Sequence, residues 1–124
     1  MDLAEEQLRG WQLRAQEQAA RAQVLGERLK AATATASSSP DGVRVTVDST
    51  GGLAALHLGA ATAEMQRPAL AALILRTSRQ AQSVLVEQLA ALATEVYGAG
   101  SATAQFVTDA YRERFPSLDD SGQR

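Results

Sequence analysis

Apolar and polar positions change period twice along this chain. From about Asp2 to Ala32, Leu8, Ala15, Ala22 and Leu29 form one row at seven-residue spacing. Ala4, Trp11, Gln18 and Leu25 form the row beside it. Two interleaved rows of this kind make a heptad-like seam on one side of a helix. From Val43 the period drops to two, with Val43, Val45 and Val47 alternating with Arg44, Thr46 and Asp48. Ser49-Thr50-Gly51-Gly52 then supplies a turn, and Leu53 to Leu58 the returning strand. With Asp48 and Leu53 flanking the turn, Val47 faces Ala54, Val45 faces Leu56 and Val43 faces Leu58. Six apolar residues then share one face, and Arg44 meets His57 on the other. From about Arg67 to Tyr97 the helical period returns through Leu70, Leu73, Ile74, Ala81, Val84, Leu85, Leu89, Leu92 and Val96. Pro68 suits its first turn, and Gly98 and Gly100 end it.

The remaining segments are shorter. Thr33 to Pro40 alternates Thr and Ala before a Ser-Pro stop. Its composition fits a flexible linker equally, and the alternation tips the reading towards an edge strand. Ser101 is placed to cap a third helix from about Ala102 to Phe115, with Phe106, Ala110 and Tyr111 on one side. The polar stretch from Ser117 to Arg124 is expected to lack order. The fold class is therefore α+β, an α-β(3)-α unit over residues 1–97 with a C-terminal extension over 98–124.

The lengths of these elements do not match. Each long helix measures about 45 Å, whereas a six-residue strand covers about 20 Å. The helices must overhang the sheet, and one copy of the chain has too little surface to cover their stripes. This predicts an obligate homodimer with projecting helical arms and Leu8, Trp11, Leu25, Leu85, Leu89 and Leu92 at its interface.

Composition narrows the chemistry. The chain carries 12 basic and 14 acidic residues in 124. Any nucleic-acid contact must therefore come from a local cluster and not from bulk charge. Arg14, Arg21 and Arg28 form a row beside the seam, with Arg9 nearby, and Arg76 and Arg79 share a face of the second long helix. These six are the candidate phosphate contacts. Against that, Glu5, Glu6, Glu17 and Glu27 lie on the first helix, and charges flanking a seam commonly pair between helices. Trp11, on the seam, reads as an interface anchor, with base stacking as the alternative.

Other chemistries find no residues. Cysteine is absent, so disulfides and thiolate sites are excluded. His57 is the single histidine and has no second one to share a metal or a triad. Gly98-Ala99-Gly100-Ser101 lacks the Lys and Ser/Thr of a phosphate loop, and no strand precedes it. No carboxylates are spaced to meet in a dry pocket. We expect no enzyme, metal or cofactor. Without a signal peptide or a membrane-length apolar run, a cytoplasmic protein is expected.

Gly42-Val43-Arg44-Val45-Thr46-Val47-Asp48 and the Ala- and Leu-rich helix that follows resemble the YbaB/EbfC family of bacterial nucleoid-associated proteins. The resemblance covers about residues 1–97. It implies an α-β(3)-α fold and a tweezer-shaped homodimer whose arms contact duplex DNA with little sequence preference, in nucleoid organisation or gene regulation. Actinobacterial members carry C-terminal extensions like residues 98–124. The alternative is a protein-interaction or stabilising module that keeps the fold without binding DNA, as in YbaB-like proteins linked to type VII secretion. Phe106, Tyr111 and Phe115 on an exposed C-terminal helix would serve that role.

Overall fold

A computed structural model describes residues 2–116. The order is α1 (Leu3–Ala31), β1 (Ala34–Ser37), β2 (Val43–Val47), β3 (Leu53–Leu58), α2 (Arg67–Tyr97) and α3 (Ala102–Arg114), with a 3-10 turn at Ala60–Thr62. The tail expected to lack order lies outside the described residues. α1 starts where the Asp2 carboxylate accepts the Ala4 N–H at 3.2 Å. Glu5 and Glu6 occupy its first turn, and Arg28 and Lys30 its last. That charge order complements the helix dipole at both ends.

The three strands form one antiparallel sheet in the order β1-β2-β3. β1 is the edge strand that the Thr-Ala alternation favoured, pairing from Ala34↔Val47 to Ser37↔Arg44. Val43↔Leu58, Arg44↔His57 and Val45↔Leu56 pair as expected. Near the turn the expected pairing of Val47 with Ala54 fails, because Val47 lies opposite Leu53. A register shift between Thr46 and Val47 skips Ala54, a one-residue bulge beside a tightly bonded turn. In that turn Asp48 Oδ1 accepts from Thr50 N at 2.9 Å, Thr50 Oγ1 at 2.6 Å and Gly52 N at 3.1 Å.

Val43, Val45 and Val47 point to one side, where Ala34 joins them against Ala81, Leu85 and Leu89 of α2. α2 packs over β1 and β2 and stops short of β3. This corrects the interface expected at Leu25, Leu85 and Leu89. Those side chains are 5%, 0% and 1% exposed within one copy, so they have no area left for a second. A single helix seated on the valine strand uses its broadest apolar face there. Leu53, Leu56 and Leu58 oppose the valines across the sheet and therefore share their face. All three stay exposed because no helix reaches them.

The extension folds back. Gly98 and Gly100, both at positive φ, reverse the chain, and α3 packs along α2 with Ala104 and Thr108 buried. Tyr111 and Phe115 reach the core cluster. The expected common face of Phe106, Ala110 and Tyr111 is thus split, since Ala104, Thr108 and Tyr111 recur at helical spacing on the packed side. Phe106 stays 76% exposed. The Phe115 ring lies over Gly51, where any β-carbon would collide with it and where φ is +83°. Gln82 Nε2 also donates to the Gly51 carbonyl at 3.0 Å. The hairpin turn is therefore clasped from α2 and from the end of α3.

Two outcomes follow for stability. Leu85→Ala should lower the unfolding free energy by about 2–5 kcal/mol in urea denaturation, the cost of a core cavity; a loss near zero would mean that this core is not formed. The bonds from Thr50, with a further one from Gly52, hold the Asp48 carboxyl below its ordinary value of 3.8. A lowered folded-state pKa contributes stability that is present above the unfolded value and lost as pH falls through the folded one. The melting temperature should therefore fall on acidification below about pH 4, and fall less in Asp48→Asn. An equal fall in both would remove Asp48 from the account.

Candidate nucleic-acid interface

The candidate site begins with a helix that outruns its support. α1 has 29 residues, about 44 Å of rise, and only its C-terminal third meets the rest of the chain. Leu25 is buried there, and Leu29 and Ala32 pack against the core. α2 comes alongside at Ala20, Arg21, Val24 and Arg28 with Glu95 and Val96, and ends at Tyr97. From Asp2 to Val24 every residue of α1 is exposed apart from half-covered Gly10. The expected overhang is present for α1. α2 also outruns the sheet, but α1 and α3 pack along its length beyond it.

Seven residues are close to two helical turns, so Arg14, Arg21 and Arg28 line one side of α1. All three are exposed. Arg28 Nη2 sits 3.1 Å from Glu95 Oε2, with the side chains 47% and 63% exposed. A pair that open to water is worth little and exchanges readily. Among the described residues the other ion pair joins Arg112 to Glu87 at 3.5 Å, linking α3 to α2. Arg14 and Arg21 have no carboxylate within ion-pairing distance among those residues.

The rest of the predicted set is dispersed. Arg9 is exposed but sits about 140° around α1 from Arg14. Arg76 and Arg79 are exposed on the first half of α2. Seventeen residues, about 25 Å, separate Arg79 from the α2 end that meets Arg21. Of the expected interface residues, Leu8 and Trp11 are 53% and 66% exposed on the arm, and Leu92 is half-buried. Arg44 and His57 are both exposed on the polar side of the sheet, away from α2.

Leu56 and Leu58 lie on the valine face as expected, but with Leu53 they stay uncovered, an exposed apolar surface that was not foreseen. Its signal was available: three strands span about 14 Å at strand spacing, more than the width of one helix. Among the described residues no group of three His, Asp or Glu is placed to hold a metal, and no helix is long and apolar enough to cross a membrane.

No curated protein and no solved structure matches the chain. A family model does, over residues 5–100, which runs from the first turn of the exposed arm to the glycines that close α2. With 96 of 124 residues inside that match, the chain belongs to the YbaB/EbfC DNA-binding family.

Proposed function

We propose that this protein binds duplex DNA as a homodimer, gripping phosphates with arginines on projecting α1 arms and reading little sequence. Family membership supplies the DNA-binding class. The observation that carries the finer reading is the pair Arg14 and Arg21: exposed, in one row and without an ion-pair partner among the described residues, on a helix that stands clear of the fold. Arg28 continues the row and joins by exchanging Glu95 for phosphate. Arg9, Arg76 and Arg79 are outlying contacts, engaged only where DNA wraps towards the body. Such contacts position a protein on DNA without distinguishing bases.

Two exposed apolar surfaces support the homodimer. One is β3, an edge strand with Leu53, Leu56 and Leu58 uncovered, the kind of edge that soluble proteins otherwise protect. The other is the arm seam with Leu8 and Trp11. In this reading residues 1–97 supply the dimer and the arms, and the extension from residue 98 braces α2 and the hairpin turn. The protein-interaction alternative draws on the acidic balance, the single lysine and three aromatics of that extension. Tyr111 and Phe115 pack inward, which leaves Phe106 as the aromatic that favours it.

Fluorescence anisotropy with labelled duplex DNA across a salt series tests the reading. Each phosphate contact contributes about 0.9 to the slope of log affinity against log salt. Arg14→Ala/Arg21→Ala removes four arginines from a dimer, so the slope should shrink by up to about 4. Arg76→Ala/Arg79→Ala should change it less. No binding at low salt, or an unchanged slope in the first variant, would contradict the proposal.

A further inference from the structure

Resting on the DNA-binding reading, we propose that the C-terminal extension carries phosphate contacts of its own. Arg112 and Arg114 at the end of α3 join Arg76 and Arg79 of α2 in a second basic surface, on the body of the protein and away from the arm.

The first half of α2 bears no negative charge. Between Glu64 and Glu87 the chain has no carboxylate, and it holds Arg67, Arg76 and Arg79. Arg76 and Arg79 share a face of the helix and are exposed there. Two arginines alone make a thin patch. The fold brings two more to it from a distant part of the chain.

α3 runs back along α2 towards that half. Arg112 Nη2 lies 3.5 Å from Glu87 Oε1. Further along α3, the Phe115 ring covers Gly51, whose carbonyl accepts from Gln82 Nε2 at 3.0 Å. As the α3 positions rise, their neighbours on α2 fall from Glu87 to Gln82. The Arg114 guanidinium carbon lies 5.4 Å from the centre of the Phe115 ring, which holds it beside the same clasp. Arg79 comes one helical turn, about 4.5 Å, before Gln82. Arg112 and Arg114 are exposed as well.

The carboxylates at this end are few and open to water. Asp109 accepts from Gln105 at 2.8 Å, and Glu113 is exposed. Glu87 and Arg112 are 71% and 53% exposed, so their pairing is weak and gives way readily to another anion. Exposed arginines grouped in this way fit phosphate oxygens, which their planar forks can grip at two points. The chain belongs to a DNA-binding family, so the phosphates are those of the bound duplex. The family match ends at residue 100. Contacts from Arg112 and Arg114 are therefore an addition to the part of the chain that the family shares.

The test is the salt dependence of binding to a duplex of about 30 base pairs, roughly 100 Å, long enough to pass from arm to body. Arg112→Ala/Arg114→Ala should shrink the slope of log affinity against log salt by about 2 where one copy's pair is engaged and about 4 where two are. Arg112→Lys/Arg114→Lys should restore it, because counterion release reads charge and not the shape of the donor. Glu87→Gln, which releases Arg112, should tighten binding. An unchanged slope in the alanine pair overturns these contacts and leaves those of the arm standing. A smaller slope that the lysine pair does not restore also overturns them, and assigns the arginines to holding α3 in place. No binding by the unaltered protein at low salt removes the DNA-binding reading itself.

Discussion

One helix lies on a three-stranded sheet, and it is too narrow to cover it. α2 places Ala81, Leu85 and Leu89 against Val43, Val45, Val47 and Ala34, which completes the core over β1 and β2. Nothing is left for β3, and nothing follows α1 beyond the end of α2. The buried half of the molecule thereby determines which half stays bare. Its bare surfaces carry Leu53, Leu56 and Leu58 on the edge strand and Leu8 and Trp11 along the arm.

Electrostatics then separates the arm from the body. Near the body, arginine and glutamate meet: Arg28 with Glu95, and Arg112 with Glu87. Out on the arm, the arginine row continues without such partners among the described residues. A nearly balanced chain can in this way present locally unpaired positive charge, which the net figure conceals. Because α1 is continuous from the core to the arm, the residues that anchor it and those that face outward share one helical phase. The extension contributes rigidity at the other end, where Phe115 fills the space that Gly51 leaves open.

Much of this was legible in the sequence, and the failures have physical reasons. Periods of seven, two and 3.6 located α1, the hairpin and α2, because side chains return to one face every second residue of a strand and about every 3.6 of a helix. Pro68, Gly98 and Ser101 marked helix ends through backbone chemistry that is local. The bulge at Ala54 was not legible, since it arises from the bonding of Asp48 to Thr50 and Gly52 inside the turn. Leu85 and Leu89 were assigned to a partner because a stripe shows that burial is needed, not which copy provides it. Phe106 was misassigned for the same reason: α3 has two candidate faces, and only its packing on α2 chose Ala104, Thr108 and Tyr111. The arginine row was legible as a row, but which of its members meets a carboxylate was not, because Glu95 lies 67 residues from Arg28.

The arms and the uncovered strand need a second copy to share the surfaces that one leaves open. Sedimentation equilibrium of the full chain at low micromolar concentration measures this directly. A homodimer gives a single species of twice the 13.1 kDa chain mass, persisting on dilution until folding itself is lost. A folded, cooperatively melting species of 13.1 kDa would contradict it.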